Sequence, residues 1–177
     1  PEMKKRTVVI NGFSKAYAMT GWRMGYAASE PDLAKAMSAL QGHSTSNPSS
    51  ITQKASVAAL AGPQEPIREM VNAFRERRDL TVELVRTLPG FDLPNVPQGA
   101  FYVFPDVSSL LGKTIAGRRI DSSDALCQVL LAEAGVAIVP GGGFGAPNYV
   151  RISYATSPEQ IRDGLARVRR AVATASA

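Results

Sequence analysis

A lysine and an arginine stand eight residues apart in the stretch Asn11-Gly12-Phe13-Ser14-Lys15-Ala16-Tyr17-Ala18-Met19-Thr20-Gly21-Trp22-Arg23-Met24-Gly25-Tyr26. Lys15 follows an apolar run and a turn, a position where an amine is held partly out of water. Desolvation favours the neutral, nucleophilic form of lysine, and such an amine forms Schiff bases with carbonyl compounds. Arg23, beside the only tryptophan, carries a guanidinium suited to gripping a phosphate through two parallel hydrogen bonds. By residue type alone the pair is weak evidence, because single lysines and arginines in apolar stretches are more often surface or ion-paired residues. A third cation, Arg151, falls in Tyr149-Val150-Arg151-Ile152-Ser153-Tyr154, on the strand face opposite Val150 and Ile152. A half-buried cation there needs an anionic partner, either a structural carboxylate or a bound one.

Other candidates are weaker. The run Val139-Pro140-Gly141-Gly142-Gly143-Phe144-Gly145 lacks the strand, loop and helix order and the terminal Lys-Ser or Lys-Thr of a phosphate loop, so it reads as a flexible turn. His43 and Cys127 are the only residues of their kinds, which leaves no zinc cluster, no Cys-His pair and no Ser-His-Asp triad. Cys127 sits on a helical apolar pattern and reads as a small core residue; His43 reads as an exposed loop residue.

The elements that must position these side chains follow from pattern. Residues 7–10 form a β-branched apolar run ended by Asn11-Gly12, which predicts a buried strand and a turn. After a second apolar run at 24–28, Ser29-Glu30-Pro31-Asp32 starts a helix whose apolar face is Leu33, Ala36, Met37 and Leu40 and which stops near Gly42. Residues 43–50 read as a loop and 51–60 as an Ala-rich helix. From 66 to 88, Ile67, Met70, Val71, Phe74, Thr81, Leu84, Val85 and Leu88 follow one long helical stripe, broken at Arg77 and Arg78. That break fits a helix joining two domains, and equally a surface helix with a polar middle. Short strands are expected at 100–104, 136–139 and 149–154, and helices at 122–134 and after Ser157-Pro158-Glu159-Gln160, which has the form of a capping box. Ile161, Leu165, Val168 and Val172 mark the last helix.

The 177 residues, 45% hydrophobic and 20% charged, have the composition of an ordinary globular protein able to bury a sizeable core. The expectation is an α/β protein of one domain and a fraction. No apolar span of bilayer length occurs, Pro1-Glu2-Met3-Lys4-Lys5-Arg6 has no apolar region behind it, and one cysteine is compatible with a reducing cytosol. The expected setting is cytoplasmic, with no membrane. A net charge of +5 makes nucleic acid a partner to consider, but the cations fall in small separated groups, mostly beside acids or at helix ends, and the expectation is no nucleic acid.

The contiguous Ser-Lys-x-x-x-Met-Thr-Gly-Trp-Arg-x-Gly-Tyr at residues 14–26 resembles the cofactor-lysine region of the class I and II aminotransferases, the pyridoxal 5'-phosphate enzymes of the aspartate aminotransferase fold type. So do Pro-Gly-x-x-Phe-Gly with Val-Arg-Ile-Ser-Tyr-Ala, and Gly-Ala-Phe-Tyr at 99–102. The resemblance runs from about Val8 onward and implies the carboxyl half of that fold: residues 1–62 a remnant of the large cofactor domain, 63–88 a long interdomain helix, and 89–177 the small α/β domain. It implies that Lys15 binds the cofactor covalently and moves a proton between the substrate α-carbon and the cofactor C4′. Arg23 would bind the cofactor phosphate and Arg151 the substrate α-carboxylate. Gly12 stands where the family often has a phosphate-binding serine, for which Ser14 is a partial substitute. Ser46 and Asn47 lie in a segment similar to the loop that reaches the partner subunit's site, which implies a homodimer acting on an amino acid and a 2-oxo acid. Gly42 occupies the place of an arginine that reads the second carboxylate in aspartate-specific members. The upstream residues that hold the cofactor ring lie outside this sequence, so the chain alone is expected to be nearly inactive. Alternatives outside transamination are the aminotransferase-like domain of a transcription regulator and a non-catalytic dimerisation fragment; within the enzymes, elimination and cyclisation remain open.

Overall fold

Asn11 and Gly12, expected as a turn after the first strand, are its last two residues in the computed structural model, which describes residues 2–176. Strand β1 (Val9–Gly12) pairs antiparallel with β2 (Gly25–Ala28), Val9 opposite Ala28 and Gly12 opposite Gly25. The Asn11 carboxamide oxygen accepts the Gly12 N–H at 2.8 Å, and the Phe13 N–H donates to Met24 O at 3.2 Å, so the pairing continues past the Asn-Gly pair. The expected burial of this strand is not met: Val9 is 53% and Ile10 81% exposed. A two-stranded ribbon needs a third strand or a helix to bury either face.

Helix α1 (Pro31–Ser44) begins with Pro31 in its first turn, as its sequence requires. It runs through Gly42 to Ser44, so His43 lies in its last turn and not in a loop. A single glycine lowers helix stability by only about 1 kcal/mol, which the surrounding turns outweigh. Leu33 and Leu40 of the expected apolar face are exposed. After a loop at 45–49 comes α2 (Ser50–Ala61), closed by the Gly62 N–H donating to Ala58 O at 2.8 Å. The long stripe is one helix, α3 (Glu65–Arg86), and its buried residues are Thr81, Val82 and Val85. It ends two residues before Leu88, whose N–H turns back to Val85 O at 3.0 Å. The chain forms two compact units, one ending at Glu69 and the other starting at Met70, so the division falls inside α3.

The second unit holds β3 (Tyr102–Val103), the hairpin β4 (Thr114–Ile115) and β5 (Arg118–Arg119), α4 (Ser123–Ala134), β6 (Val139–Pro140), β7 (Val150–Ser153) and α5 (Pro158–Val172). Its sheet is antiparallel in the order β3-β7-β6, and α4 packs against α5. Val103, Val150, Ile152 and Tyr154 face the core together with Leu126, Leu130, Leu165 and Val168. The alternation expected at 149–154 is thus present. Two strands are shorter than expected. Positive φ at Ala100 and the ring of Pro105 bound β3, while the Val136 N–H caps Leu130 O of α4 at 3.2 Å and is unavailable to the sheet.

Helices α4 and α5 are both capped at their N-termini by serine, of which only Ser157 is read as a cap from the sequence. Ser122 Oγ accepts the Ala125 N–H at 3.2 Å, and Gly135 ends α4 with φ 61. Ser157 Oγ accepts the Gln160 N–H at 3.3 Å, but the Gln160 side chain bonds Thr156 Oγ1 instead of returning to Ser157, so only half of the reciprocal box forms. Among the described residues, no helix is long and apolar enough to cross a membrane, and no group of three or more His, Cys, Asp or Glu is placed to hold a metal.

Candidate active site

The loop between β1 and β2, residues 13–24, is built around Phe13. Its ring is buried, with Tyr17 and Tyr26 at centroid distances of 5.4 and 5.9 Å. Its carbonyl accepts the N–H groups of both Tyr17 and Met19 at 3.3 Å. A buried aromatic anchor and two amides on one oxygen fix the path of the loop. Ser14 and Lys15 follow the anchor directly, and Ala18 N–H closes a tight turn on Lys15 O at 3.1 Å. Ser14 is half-buried and Lys15 is exposed. The burial expected at Lys15 is therefore not provided by this unit, although Phe13 and Met19 beside it are buried.

Arg23 follows the 3-10 turn Thr20–Trp22 in the left-handed region, at φ 53. That conformation is costly for a residue with a Cβ, by about 1 kcal/mol, and it brings the side chain back over the turn. Its Nη1 donates to Thr20 O at 2.7 Å. No carboxylate among the described residues pairs with it, so the guanidinium keeps further donors for an anion. Ser14, Lys15 and Arg23 thus share one loop: a hydroxyl, an amine and a guanidinium.

Arg151 belongs to the other unit. It lies opposite Val139 in the β6–β7 ladder, on the sheet face away from the core. Of the two partners expected for it, the structural one is not found: no carboxylate among the described residues lies within ion-pair distance. Aromatic rings take that place. The guanidinium carbon is 4.4 Å from the Tyr102 ring centroid and 4.7 Å from that of Phe144, and a cation is attracted to a ring face without using its N–H groups. Phe144 is presented by an ordered 3-10 turn, Gly141–Phe144, where a flexible turn was expected. Gly141 is needed there, because a Cβ on it would come within 2.6 Å of Tyr149 O.

The rings flanking Arg151 were only half legible. Tyr102 lies in the aromatic strand singled out from sequence, but Phe144 approaches through a turn that no periodicity announces. Ser46 has φ 62, and the Asn47 carboxamide oxygen accepts from Gln53 Nε2 at 3.3 Å, holding the loop after α1 onto α2. Cys127 is buried, as expected, and burial with the nearby Asp124 charge pushes its thiol up to about 11.

The sequence profile of the family "Aminotransferase class I and II" matches residues 1–168. The chain belongs to this family. It is 49% identical over 169 residues to an aspartate aminotransferase of Rhizobium meliloti, covering 95% of this chain and 41% of that protein. It is 50% identical over 171 residues to an aspartate/prephenate aminotransferase of Cereibacter sphaeroides, covering 96% and 42%. Among solved structures, the Rhizobium meliloti aspartate aminotransferase superposes with a TM-score of 0.94 at 47% identity, over 99% of this chain and 44% of that one. An aromatic aminotransferase from Pyrococcus horikoshii gives 0.84 at 34% identity, over 98% and 44%. The chain therefore has the fold of the matching part of these α/β enzymes and spans about two fifths of their length.

Class I and II aminotransferases depend on pyridoxal 5'-phosphate. The donors on the β1–β2 loop fit that group chemically: an amine for its aldehyde, and a guanidinium with further N–H groups and a hydroxyl for its phosphate.

Proposed function

We propose that the chain is the carboxyl-terminal part of a pyridoxal-phosphate aminotransferase that moves an α-amino group from an amino acid to a 2-oxo acid. In this reading residues 1–62 complete the cofactor domain, 63–88 connect it to the small domain, and 89–177 form that domain. The observation that carries the reading is one family profile matching residues 1–168, with Lys15, Arg23 and Arg151 all inside it. The bound cofactor supplies an electron sink that lowers the barrier to losing the α-proton. Lys15 Nζ would be the group that carries the proton between the substrate α-carbon and the cofactor. Arg23 and the Ser14 hydroxyl hold the phosphate, which keeps the ring from drifting while the proton moves. Arg151 grips the α-carboxylate through paired N–H groups and so aims the Cα–H bond.

A homodimer is part of the proposal. The exposed Leu33, Leu40, Ile51 and Val57 of the first unit and the resemblance of the Ser46–Asn47 segment support a partner that shares the site. A cytoplasmic setting is supported by the single, buried cysteine. Aspartate with 2-oxoglutarate is the first substrate pair to test, since the relatives are named for aspartate. Gly42 has no side chain to read a second carboxylate, which argues against a strict dicarboxylate preference. The test is amino transfer by the intact enzyme, followed by amino acid analysis of both products. Transfer to 2-oxoglutarate supports the reading, and its absence with every amino acid offered overturns it. The isolated chain is expected to show almost no turnover.

A further inference from the structure

The sheet of the second unit uses its two faces differently. One is packed into the core by Val103, Val150 and Ile152. The other gathers aromatic side chains around a single cation: Arg151 has Tyr102 at 4.4 Å and Phe144 at 4.7 Å, and no hydrogen bond or ion pair among the described residues engages its N–H groups. Each ring is itself held. Phe144 meets the Phe104 ring edge-on at 6.0 Å, Phe104 stacks on Tyr149 at 5.2 Å, and Tyr102 lies against Phe101 at 4.4 Å. The Phe144 turn is tied down as well, by the Gly141 N–H to Tyr149 O at 2.8 Å and the Ala146 N–H to Gly141 O at 3.1 Å.

An arginine side chain on a strand has many rotamers, and a carboxylate that must be bound in one orientation pays for every one that is frozen. Ring faces restrict those rotamers without consuming donors, since a π face attracts the cation but accepts no directed bond from its edge. A structural carboxylate would fix the side chain equally well but occupy the fork. From this geometry we infer that Tyr102 and Phe144 are positioning residues, which hold the Arg151 guanidinium in place with its N–H edge open for the substrate α-carboxylate. The inference rests on the reading of Arg151 as the carboxylate clamp.

The test uses the intact enzyme carrying Phe144→Leu, Tyr102→Leu, the conservative Phe144→Tyr and Tyr102→Phe, and Arg151→Leu alone and combined with each leucine variant. Steady-state constants are measured for both substrates, with calorimetric affinity for succinate as a non-reacting carboxylate. Each leucine variant is expected to raise KM and weaken succinate binding by about tenfold while kcat changes by less than about threefold, as for lost ground-state and transition-state binding alike. The conservative variants restore both constants. In the Arg151→Leu background the leucine substitutions add nothing further. If Arg151→Leu weakens carboxylate binding but the ring variants do not, the inference fails and the clamp reading survives. If Arg151→Leu itself leaves KM and succinate affinity unchanged, the clamp reading fails and takes the inference with it. Ring variants that lower the melting temperature with KM unchanged overturn the inference in favour of plain packing.

Discussion

In the second unit, Val85, Leu126, Leu130, Val150 and Val168 have no exposed surface at all, whereas the first unit, among the described residues, buries only Phe13, Met19, Thr52 and Ser56. The apolar patterning of the two is comparable in kind. Helix α1 carries Leu33, Met37 and Leu40 at helical spacing, just as α5 carries Ile161, Leu165 and Val168. The difference is what each stripe faces. α5 packs on α4 in a unit with a three-stranded sheet, while the first unit holds a two-stranded ribbon and the helices α1 and α2, whose apolar side chains are largely exposed. Periodicity specifies which face is apolar, and a second layer is needed before that face becomes a core. The proposed role as part of a longer enzyme accounts for the unit that lacks one.

The largest expected effect separates the two units directly. In the isolated chain, amides of α4, α5 and β7 should exchange at least about a thousandfold more slowly than those of α1 and β1, because protection follows local stability. Equal protection would erase the contrast. Next, Leu130→Ala should destabilise the second unit by about 2–5 kcal/mol through a cavity in its core. Ile10→Ala, at a side chain 81% exposed, should cost no more than about 0.5 kcal/mol in the same chain. Denaturant melts followed by circular dichroism give both numbers. In the intact enzyme Ile10→Ala should become costly, which would sharpen the comparison by locating a covering layer.

Cys127 reports the second unit by pH. Its thiol is raised from 9.0 to about 11 by burial first and the Asp124 charge second. Below pH 9 the thiol is protonated in both states and contributes no pH dependence. Between about 9 and 11 the unfolded thiol ionises while the folded one stays protonated, so this contribution lowers stability as pH rises through that window. Thiol-reagent kinetics at pH 8 should accordingly be slow until the unit unfolds. The smallest effect expected is at the α5 cap: Ser157→Ala should cost about 1 kcal/mol, seen as a lowered denaturation midpoint. The Glu159 carboxyl, held below the usual carboxylate range first by its backbone N–H and then by Ser157, should titrate closer to its ordinary value in that variant.

Local rules carried the reading of α2, α4, α5 and the alternation of β7, from the apolar period and, for α5, a capping residue as well. They failed where a long-range partner decides. Val136 spends its amide on the end of α4, and positive φ at Ala100 cuts β3 short. The burial assumed for residues 7–10 depends on a layer the unit does not contain. At the candidate site, Lys15 and Arg23 were conspicuous as types in a long contiguous motif, but the exposure of Lys15 was not, since that depends on what packs over the loop. Arg151 was legible as a cation needing compensation; that two rings would supply it is a tertiary fact, with Phe144 reaching in from a turn.

The claim on which the account depends is that Lys15 is the residue that binds the cofactor. The most direct measurement is borohydride reduction of the intact, cofactor-loaded enzyme, followed by proteolysis and mass spectrometry of the lysine-containing peptides. The account predicts the pyridoxyl phosphate mass on the peptide containing Lys15, and its disappearance in Lys15→Ala. The same mass on Lys35, Lys54 or Lys113, or on no peptide of this chain, would contradict it.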